Sequence, residues 1–162
     1  MSERHVTLSL TLENLWQFSL QYYSVRAVKE ACLSLQNRFN GNVNLILLLK
    51  YLDTHNVAIG DNDWHLLLEC LHRSDVLLHD FRQLRRQLKT HVPDTIYRQS
   101  LEFELELEKQ QQADLVECAN HLTYRLRNED KGLLTTRYCM QLTADNLADI
   151  FAKPVQNNQQ KQ

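Results

Sequence analysis

The chain has 162 residues, enough for one domain with a substantial core, and its formal net charge of −2 argues against a dedicated binder of nucleic acid or membrane surfaces. Three glycines and two prolines are too few for a protein rich in turns or strands, so the composition predicts long helices joined by short connections. The sequence opens without a signal-peptide pattern, and we therefore expect a cytoplasmic protein whose four cysteines are thiols.

The start of the chain predicts an extended arm followed by two amphipathic helices. Residues 1–10 alternate apolar and polar side chains, but a lone strand would have no partner, so an arm packed on the domain is favoured. Thr11 is the predicted N-cap of the first helix, and Gly41 follows the predicted end of the second. The apolar stripes of these helices are Leu12, Leu15, Trp16, Ser19, Tyr22 and Tyr23, and then Val28, Ala31, Cys32, Leu35 and Phe39.

The third predicted helix is the centre of the fold. It begins after Asn42, which can cap it, and runs to about residue 54. Residues 45–49 form a continuous apolar run that covers every face of the helix, so we expect this helix to be buried on several sides. It is too short to span a membrane, which takes about 20 apolar residues.

Two long helices are predicted next. The first runs from about residue 64 to residue 89, either continuous or divided near Ser74, with residues 61–63 available as caps and Pro93 after its end. The second covers residues 94–127; the alternation in SLEFELELE has the period of a strand, but an apolar stripe of helical period favours a helix. Phe103 and Leu107 lie off that stripe and would need a second neighbour. The stripe consists of Tyr97, Leu101, Leu105, Leu115, Ala119, Leu122 and Leu126.

The end of the chain predicts two short helices and a polar tail. The helices cover residues 133–141 and a stretch that begins at Thr143 and is stopped by Pro154, and residues 154–162 are expected to be disordered because they have nothing to bury. The predicted fold is therefore all-α. Residues 1–153 form a single domain, a bundle or array of about six to seven helices around the buried helix of residues 43–54.

The first three helices carry motifs that resemble a known family. Its opening pattern is a tryptophan-aromatic-serine-leucine helix start, then an alanine-cysteine-leucine helix, then an asparagine-leucine run. The matching residues here are Trp16, Phe18, Ser19 and Leu20; Ala31, Cys32, Leu33, Leu35 and Gln36; and Val43, Asn44 and Leu45. On these residues the chain is similar to small all-helical proteobacterial proteins classed as a domain of unknown function. The resemblance implies a helical fold and no catalytic residue.

A weaker similarity continues through Leu84, Arg85, Arg86, Leu88 and Lys89. The proline-glycine pair usual between the first two helices of that family is replaced here by Val25 and Arg26.

Two groups of residues suggest chemistry, and for each the structural interpretation is favoured. Cys118 and His121 share a helix face, with Glu117 in reach of the imidazole, as in a cysteine nucleophile, although such spacings often arise by chance. His65, His72 and His79 repeat every seven residues, about 10.5 Å along a helix, which is too far for one metal ion. We predict no catalytic residue, no cofactor and no metal site.

A change in the sign of charge is the clearest electrostatic feature. Basic residues end the fourth helix and acidic residues begin the fifth, which predicts an antiparallel hairpin across Pro93. In one interpretation these charges pair inside the domain; in the other they form an exposed surface for a protein partner or an anion. The residues concerned are Arg82, Arg85, Arg86, Lys89, Glu104 and Glu108.

By elimination, the sequence predicts a cytoplasmic, non-enzymatic helical protein that acts through an unknown protein partner, with nucleic acid and membranes disfavoured. One alternative is a module that binds a small apolar or phosphorylated ligand between helices, with Trp16, Tyr22, Tyr23 or Trp64 in the wall and Arg85 or Arg86 at the mouth. The other is a cysteine enzyme that uses Cys118 and His121. The oligomeric state stays open.

Overall fold

The computed structural model describes residues 5–128 and 132–155, and within these it contains seven helices and one small sheet. The helices are α1 Leu12–Tyr23, α2 Arg26–Arg38, α3 Val43–Thr54, α4 Asp61–Leu88, α5 Asp94–Ala119, α6 Leu134–Gln141 and α7 Asp145–Ala152. The strands are β1 His5–Val6, β2 Val57–Ala58 and β3 Tyr124–Leu126. The predicted all-α class is confirmed. Most of the predicted polar tail lies outside the described residues.

Helix α3 is the buried centre, as predicted. The Asn42 side chain caps its first turn by accepting a hydrogen bond from the Leu45 amide at 2.8 Å. Every residue from Asn44 to Lys50 is buried, and α1, α2, α5 and α6 all pack against this helix. The apolar run of α3 therefore forms the middle of the core, because no face of the helix is left for solvent.

Two buried charges on α3 fix the last two helices. The Lys50 ammonium donates to the backbone carbonyls of Phe151 and Lys153, both at 2.7 Å, at the C-terminal end of α7. The Asp53 carboxylate accepts from the backbone amides of Leu134 and Thr135, at 2.8 Å and 3.1 Å, at the start of α6. Cations suit helix C-termini and anions suit N-termini, so α3 caps both helices with side chains of matching charge.

The small sheet corrects two of the sequence predictions. Strand β3 pairs antiparallel with β1 and with β2, so the N-terminal arm has the partner that the sequence did not reveal. Helix α5 ends at Ala119 instead of reaching residue 127. The Asn120 side chain accepts a hydrogen bond from the Leu10 amide at 2.9 Å and donates one to the Leu10 carbonyl at 2.8 Å. Tyr124, in the strand that follows, is buried. Strand pairing and the two Asn120–Leu10 hydrogen bonds therefore outweigh the helical preference of residues 120–127.

Helices α4 and α5 form the predicted antiparallel hairpin. Helix α4 is continuous through Ser74 and begins at Asp61, earlier than predicted, after an extended Gly60. Its 28 residues span about 42 Å. Trp64, Leu67 and Leu71 join the main core, whereas later residues of α4 pack mainly on α5. The hairpin thus extends past the end of the apolar core.

The buried face of α5 differs from the predicted stripe. Leu101 and Leu105 are 40% and 48% exposed, whereas Glu104 is only 8% exposed. The reason is that α4 presents arginines to α5, so a glutamate takes the inward position that an apolar pattern would give to leucine. Phe103, predicted to need a second neighbour, packs on Phe81 of α4 at a centroid distance of 5.2 Å.

The last helix also begins later than predicted. Thr143 has a positive φ of 58°, which a helix does not allow, and α7 starts at Asp145. Among the described residues, no helix is both long enough and apolar enough to cross a membrane.

Candidate functional site

The predicted charged residues divide into an internal layer and an exposed pair. Arg82 contacts Glu104 at 3.4 Å and Glu108 at 3.2 Å, and Arg85 contacts Glu104 at 3.2 Å. All four side chains are largely shielded from solvent, and burial raises the pKa of Glu108 although Arg82 opposes the rise. These pairs hold α4 to α5 and leave few free charges for an anion. By contrast, Arg86 and Lys89 are exposed.

A shallow groove of about 750 Å³ runs between α4 and α5 on the outside of the hairpin. Leu66 and Leu77, in its wall, are 50% and 60% exposed, so apolar surface of the groove is open to solvent. Most of the charge on the groove is acidic, with Arg73 as the one arginine in its lining. We call this the outer groove; its lining includes Leu66, Leu77, Leu107 and Leu122 with Glu69, Arg73, Asp114 and Glu117.

The outer groove has apolar side chains on both of its walls. Leu66 and Leu77 lie eleven positions apart on α4, about three helical turns, so both are on one face of that helix, and Leu107 lines the groove from α5. A groove between two adjacent helices with apolar side chains on both walls is the kind of surface that receives a third helix. The sequence places Leu107 off the main stripe of α5, in agreement with its position in this groove.

A second, smaller cavity of about 200 Å³ lies between α1, α3 and α5. We call it the inner cavity. Trp16 and Tyr23 stand in its wall, as the ligand-binding alternative expected, whereas Trp64 does not line it and is buried against Tyr138. Arg82, and neither Arg85 nor Arg86, lies in the lining. The lining also includes Leu47, Leu105, Ser19, Asn44, Glu108 and Gln112.

A third depression, of about 510 Å³, lies where the end of α2 approaches α4. Arg86 lines it together with Arg38, His72 and His79, and Asp75 supplies a carboxylate. Two of the three periodic histidines thus share one surface. Across the part of the chain that the structure describes, no group of three or more histidine, cysteine or acidic side chains is arranged to hold a metal ion.

Cys118 does not have the environment of a nucleophile. Its thiol donates to the backbone carbonyl of Leu66 at 3.8 Å, and burial raises the pKa of Cys118 to about 11. The Nδ1 atom of His121 is engaged with the backbone carbonyl of Glu117 at 2.8 Å. Cys118 instead lies beside Cys70 across the hairpin, a proximity that sequence spacing could not show, and the Cys70 thiol donates to the backbone carbonyl of Asp114 at 3.4 Å. The Cys118 thiol is therefore protonated near neutral pH.

Comparison with known proteins identifies a family. A family model described as "Protein of unknown function (DUF2390)" matches residues 14–115, which span α1 through most of α5 and include every residue that lines the inner cavity. Searches of curated proteins and of solved structures gave no match.

Proposed function

Because the chain belongs to the DUF2390 family of unknown function, we infer its role from its own geometry and propose that it is a non-enzymatic protein whose outer groove binds a helix of a partner protein. The observation that carries this proposal is the pair of exposed leucines on the α4 wall of the groove, with Leu107 on the α5 wall. Leu66 is 50% and Leu77 is 60% exposed. Such a surface is stabilised when an amphipathic helix covers it.

The charge of the groove selects the partner. Glu69, Asp114 and Glu117 line it against one arginine, Arg73. A helix with an apolar face and lysine or arginine flanks would complement this rim. A second copy of the chain would place acidic side chains against acidic side chains, which disfavours self-association through the same surface. We therefore propose a basic amphipathic helix as the occupant, in the cytoplasm that the sequence predicts.

Two synthetic peptides of equal length test the proposal. Both carry the same leucine stripe, but one has lysine flanks and the other has glutamate flanks. We expect the lysine peptide to become helical and to bind, with an affinity that falls as salt is added, and the glutamate peptide to bind far more weakly. Circular dichroism and fluorescence anisotropy of labelled peptide measure both effects.

A matched pair of variants locates the binding surface. Leu77→Ser removes an exposed leucine from the α4 wall of the groove and should weaken binding of the lysine-flanked peptide by about tenfold. Leu101→Ser removes an exposed leucine of α5 that does not line the groove, and it should leave the affinity unchanged. Equal binding of the two peptides, or equal loss in the two variants, would refute the proposal.

A further inference from the structure

We propose that the third depression binds a small phosphate ester of a hydroxylated molecule, such as a sugar phosphate. The depression lies between the end of α2 and one face of α4, and its volume of about 510 Å³ is in the range of pockets that hold small ligands. It shares no lining residue with the outer groove, so this site is separate from the proposed helix-binding surface. Its charge, its free hydrogen-bonding groups and the polarity of its walls point to this class of ligand.

The depression carries an excess of positive charge, although the formal net charge of the protein is −2. Three arginines line it, Arg38, Arg82 and Arg86, against one carboxylate, Asp75. A phosphate monoester carries about two negative charges near neutral pH, which matches this excess of two positive charges. Arginine also suits phosphate because its planar guanidinium can donate two parallel hydrogen bonds to the phosphate oxygens.

Two of these arginines are available to a ligand. Arg82 is paired with two glutamates of α5, at 3.4 Å and 3.2 Å. Within residues 5–128 and 132–155, neither Arg38 nor Arg86 forms an ion pair, and both side chains are exposed. Arg38 comes from α2 and Arg86 from α4, so they line the depression from two different helices. A phosphate group can therefore gain guanidinium contacts without breaking an ion pair of the protein.

The α4 wall of the depression contains two of the periodic histidines. His72, His79 and Arg86 lie seven residues apart, about 10.5 Å along the helix at each step, and all three line the depression. His79 Nε2 is 3.2 Å from Gln83 Nε2. Because an amide nitrogen donates and does not accept, the imidazole Nε2 is the acceptor, and the neutral ring carries its proton on Nδ1. The spacing that is too long for one metal ion thus suits an extended ligand with several acceptor oxygens.

The remaining walls favour hydroxyl groups over an apolar or aromatic ligand. Asp75 Oδ1 accepts a hydrogen bond from the Asn42 side chain at 2.8 Å, whereas Asp75 Oδ2 has no partner within the described residues, so a ligand hydroxyl can donate to it. The described lining contains no phenylalanine, tyrosine or tryptophan on which a nucleotide base could stack. Side-chain amides donate and accept hydrogen bonds, as hydroxyl groups do. The amides in the lining are Gln36, Asn37, Asn40 and Gln83.

Four solutes test the proposal on the whole protein: glucose 6-phosphate, ribose 5-phosphate, glucose and inorganic phosphate. We expect at least one sugar phosphate to bind with a dissociation constant in the millimolar range or below, and glucose and inorganic phosphate to bind at least about tenfold more weakly. Isothermal titration calorimetry measures all four affinities. The absence of sugar phosphate binding in that range would overturn the proposal. Equal affinity for inorganic phosphate or for glucose would also overturn it, because one half of the ligand would then contribute nothing.

The histidine ring signals in magnetic resonance spectra locate the ligand without any substitution. His72 and His79 line the depression, whereas His65, the third member of the same repeat on α4, does not. We expect the bound sugar phosphate to shift the signals of His72 and His79 and to leave that of His65 unchanged. Equal shifts in all three histidines, or a shift in His65 alone, would overturn the assignment to this depression.

A matched pair of variants tests the role of charge. Arg86→Gln and Arg73→Gln make the same change at two exposed arginines of α4, but Arg73 lines the outer groove instead of the depression. Arg86→Gln should weaken sugar phosphate binding by about tenfold, and Arg73→Gln should leave it unchanged. Equal losses would mean that the ligand responds only to the net charge of the protein, and the site would be refuted. Arg86→Gln should not affect binding of the lysine-flanked peptide, so the two proposals can fail independently.

Discussion

Cys118 and Cys70 lie against each other between α4 and α5, and both are half-buried. Burial raises the pKa of Cys118 from 9.0 to about 11, with the neighbouring Cys70 adding to the rise. A thiolate there would lose hydration without gaining a positive partner, since the adjacent side chains are a thiol and the acidic Asp63. The chemistry of this residue is therefore set by its surroundings and not by its spacing to a histidine.

This environment predicts slow alkylation of Cys118. With a pKa of about 11 in place of 9.0, the thiolate fraction near pH 7 falls about a hundredfold, so iodoacetamide should label native Cys118 about a hundred times more slowly than the unfolded chain. The rate should keep rising with pH beyond 9, because deprotonation becomes substantial only as the raised pKa is approached. Mass spectrometry of tryptic peptides after timed labelling measures both effects.

His121→Ala serves as the control for Cys118. Because the His121 ring is engaged with a backbone carbonyl, removing it should leave the labelling rate unchanged. Rapid labelling at pH 7 that depends on His121 would instead support a cysteine nucleophile.

At the level of the element, ion pairs join α4 to α5 near the tip of the hairpin, whereas the other helices pack through apolar side chains. Glu104 receives both Arg82 and Arg85, and Glu108 receives Arg82 as well. A buried carboxylate with two arginine partners is stable only while both partners remain, because an unpaired charge in that position would have lost its hydration. The stability of the hairpin should therefore depend on the paired Arg85 and not on the exposed Arg86.

The variants Arg85→Glu and Arg86→Glu test that difference. Arg85→Glu places a carboxylate beside Glu104 and should lower the free energy of unfolding by about 3 kcal/mol. Arg86→Glu reverses a charge on an exposed side chain and should change stability by less than about 0.5 kcal/mol. Urea unfolding followed by circular dichroism gives both values. Similar losses for the two variants would mean that the ion pairs of Arg85 do not hold the hairpin.

The same elements show which features are encoded locally. The apolar run of α3 and the stripes of α1 and α2 are visible in the sequence, because each records the burial of one helix face. The inward face of α5 is not, since Glu104 is buried only through arginines about twenty positions earlier in the chain. Strands of two or three residues carry almost no periodic signal, and the pairing of β1 with β3 joins segments more than a hundred residues apart.

The candidate sites likewise differ in how much of each could be predicted from the sequence. Trp16, Tyr22, Tyr23 and Trp64 were the candidates for the wall of a ligand pocket between helices, and of these Trp16 and Tyr23 line the inner cavity. The buried network of Asn44, Gln111 and Gln112 joins α3, α4 and α5, and no local pattern contains it. The outer groove could be found only in part, because Leu107 lies off the predicted stripe of α5, whereas the exposure of Leu66 and Leu77 depends on how α4 packs against α5.

In the whole molecule, apolar burial is concentrated away from the tip of the hairpin. Between Leu78 and Leu115, a stretch that the structure describes throughout, the only buried residues are polar: Ser100, Glu104, Gln111 and Gln112. The core cluster takes its last α4 member at Leu71 and its first α5 member at Leu115. Local stability follows buried apolar contacts, so the hairpin tip and α3 should differ in their opening free energies.

Native-state hydrogen exchange should detect this difference. We expect amides of residues 84–103 to exchange through local opening, at a free energy about 2 kcal/mol or more below that of α3, because α3 opens only when the whole core unfolds. Peptide-resolved mass spectrometry at low urea concentrations separates the two classes. Binding of the lysine-flanked peptide should protect residues 66–78 and 107–122, which line the outer groove, and leave α3 unchanged. Equal opening free energies in the two segments would mean that the charge layer couples the tip fully to the core, and the hairpin would then be one cooperative unit with the rest of the fold.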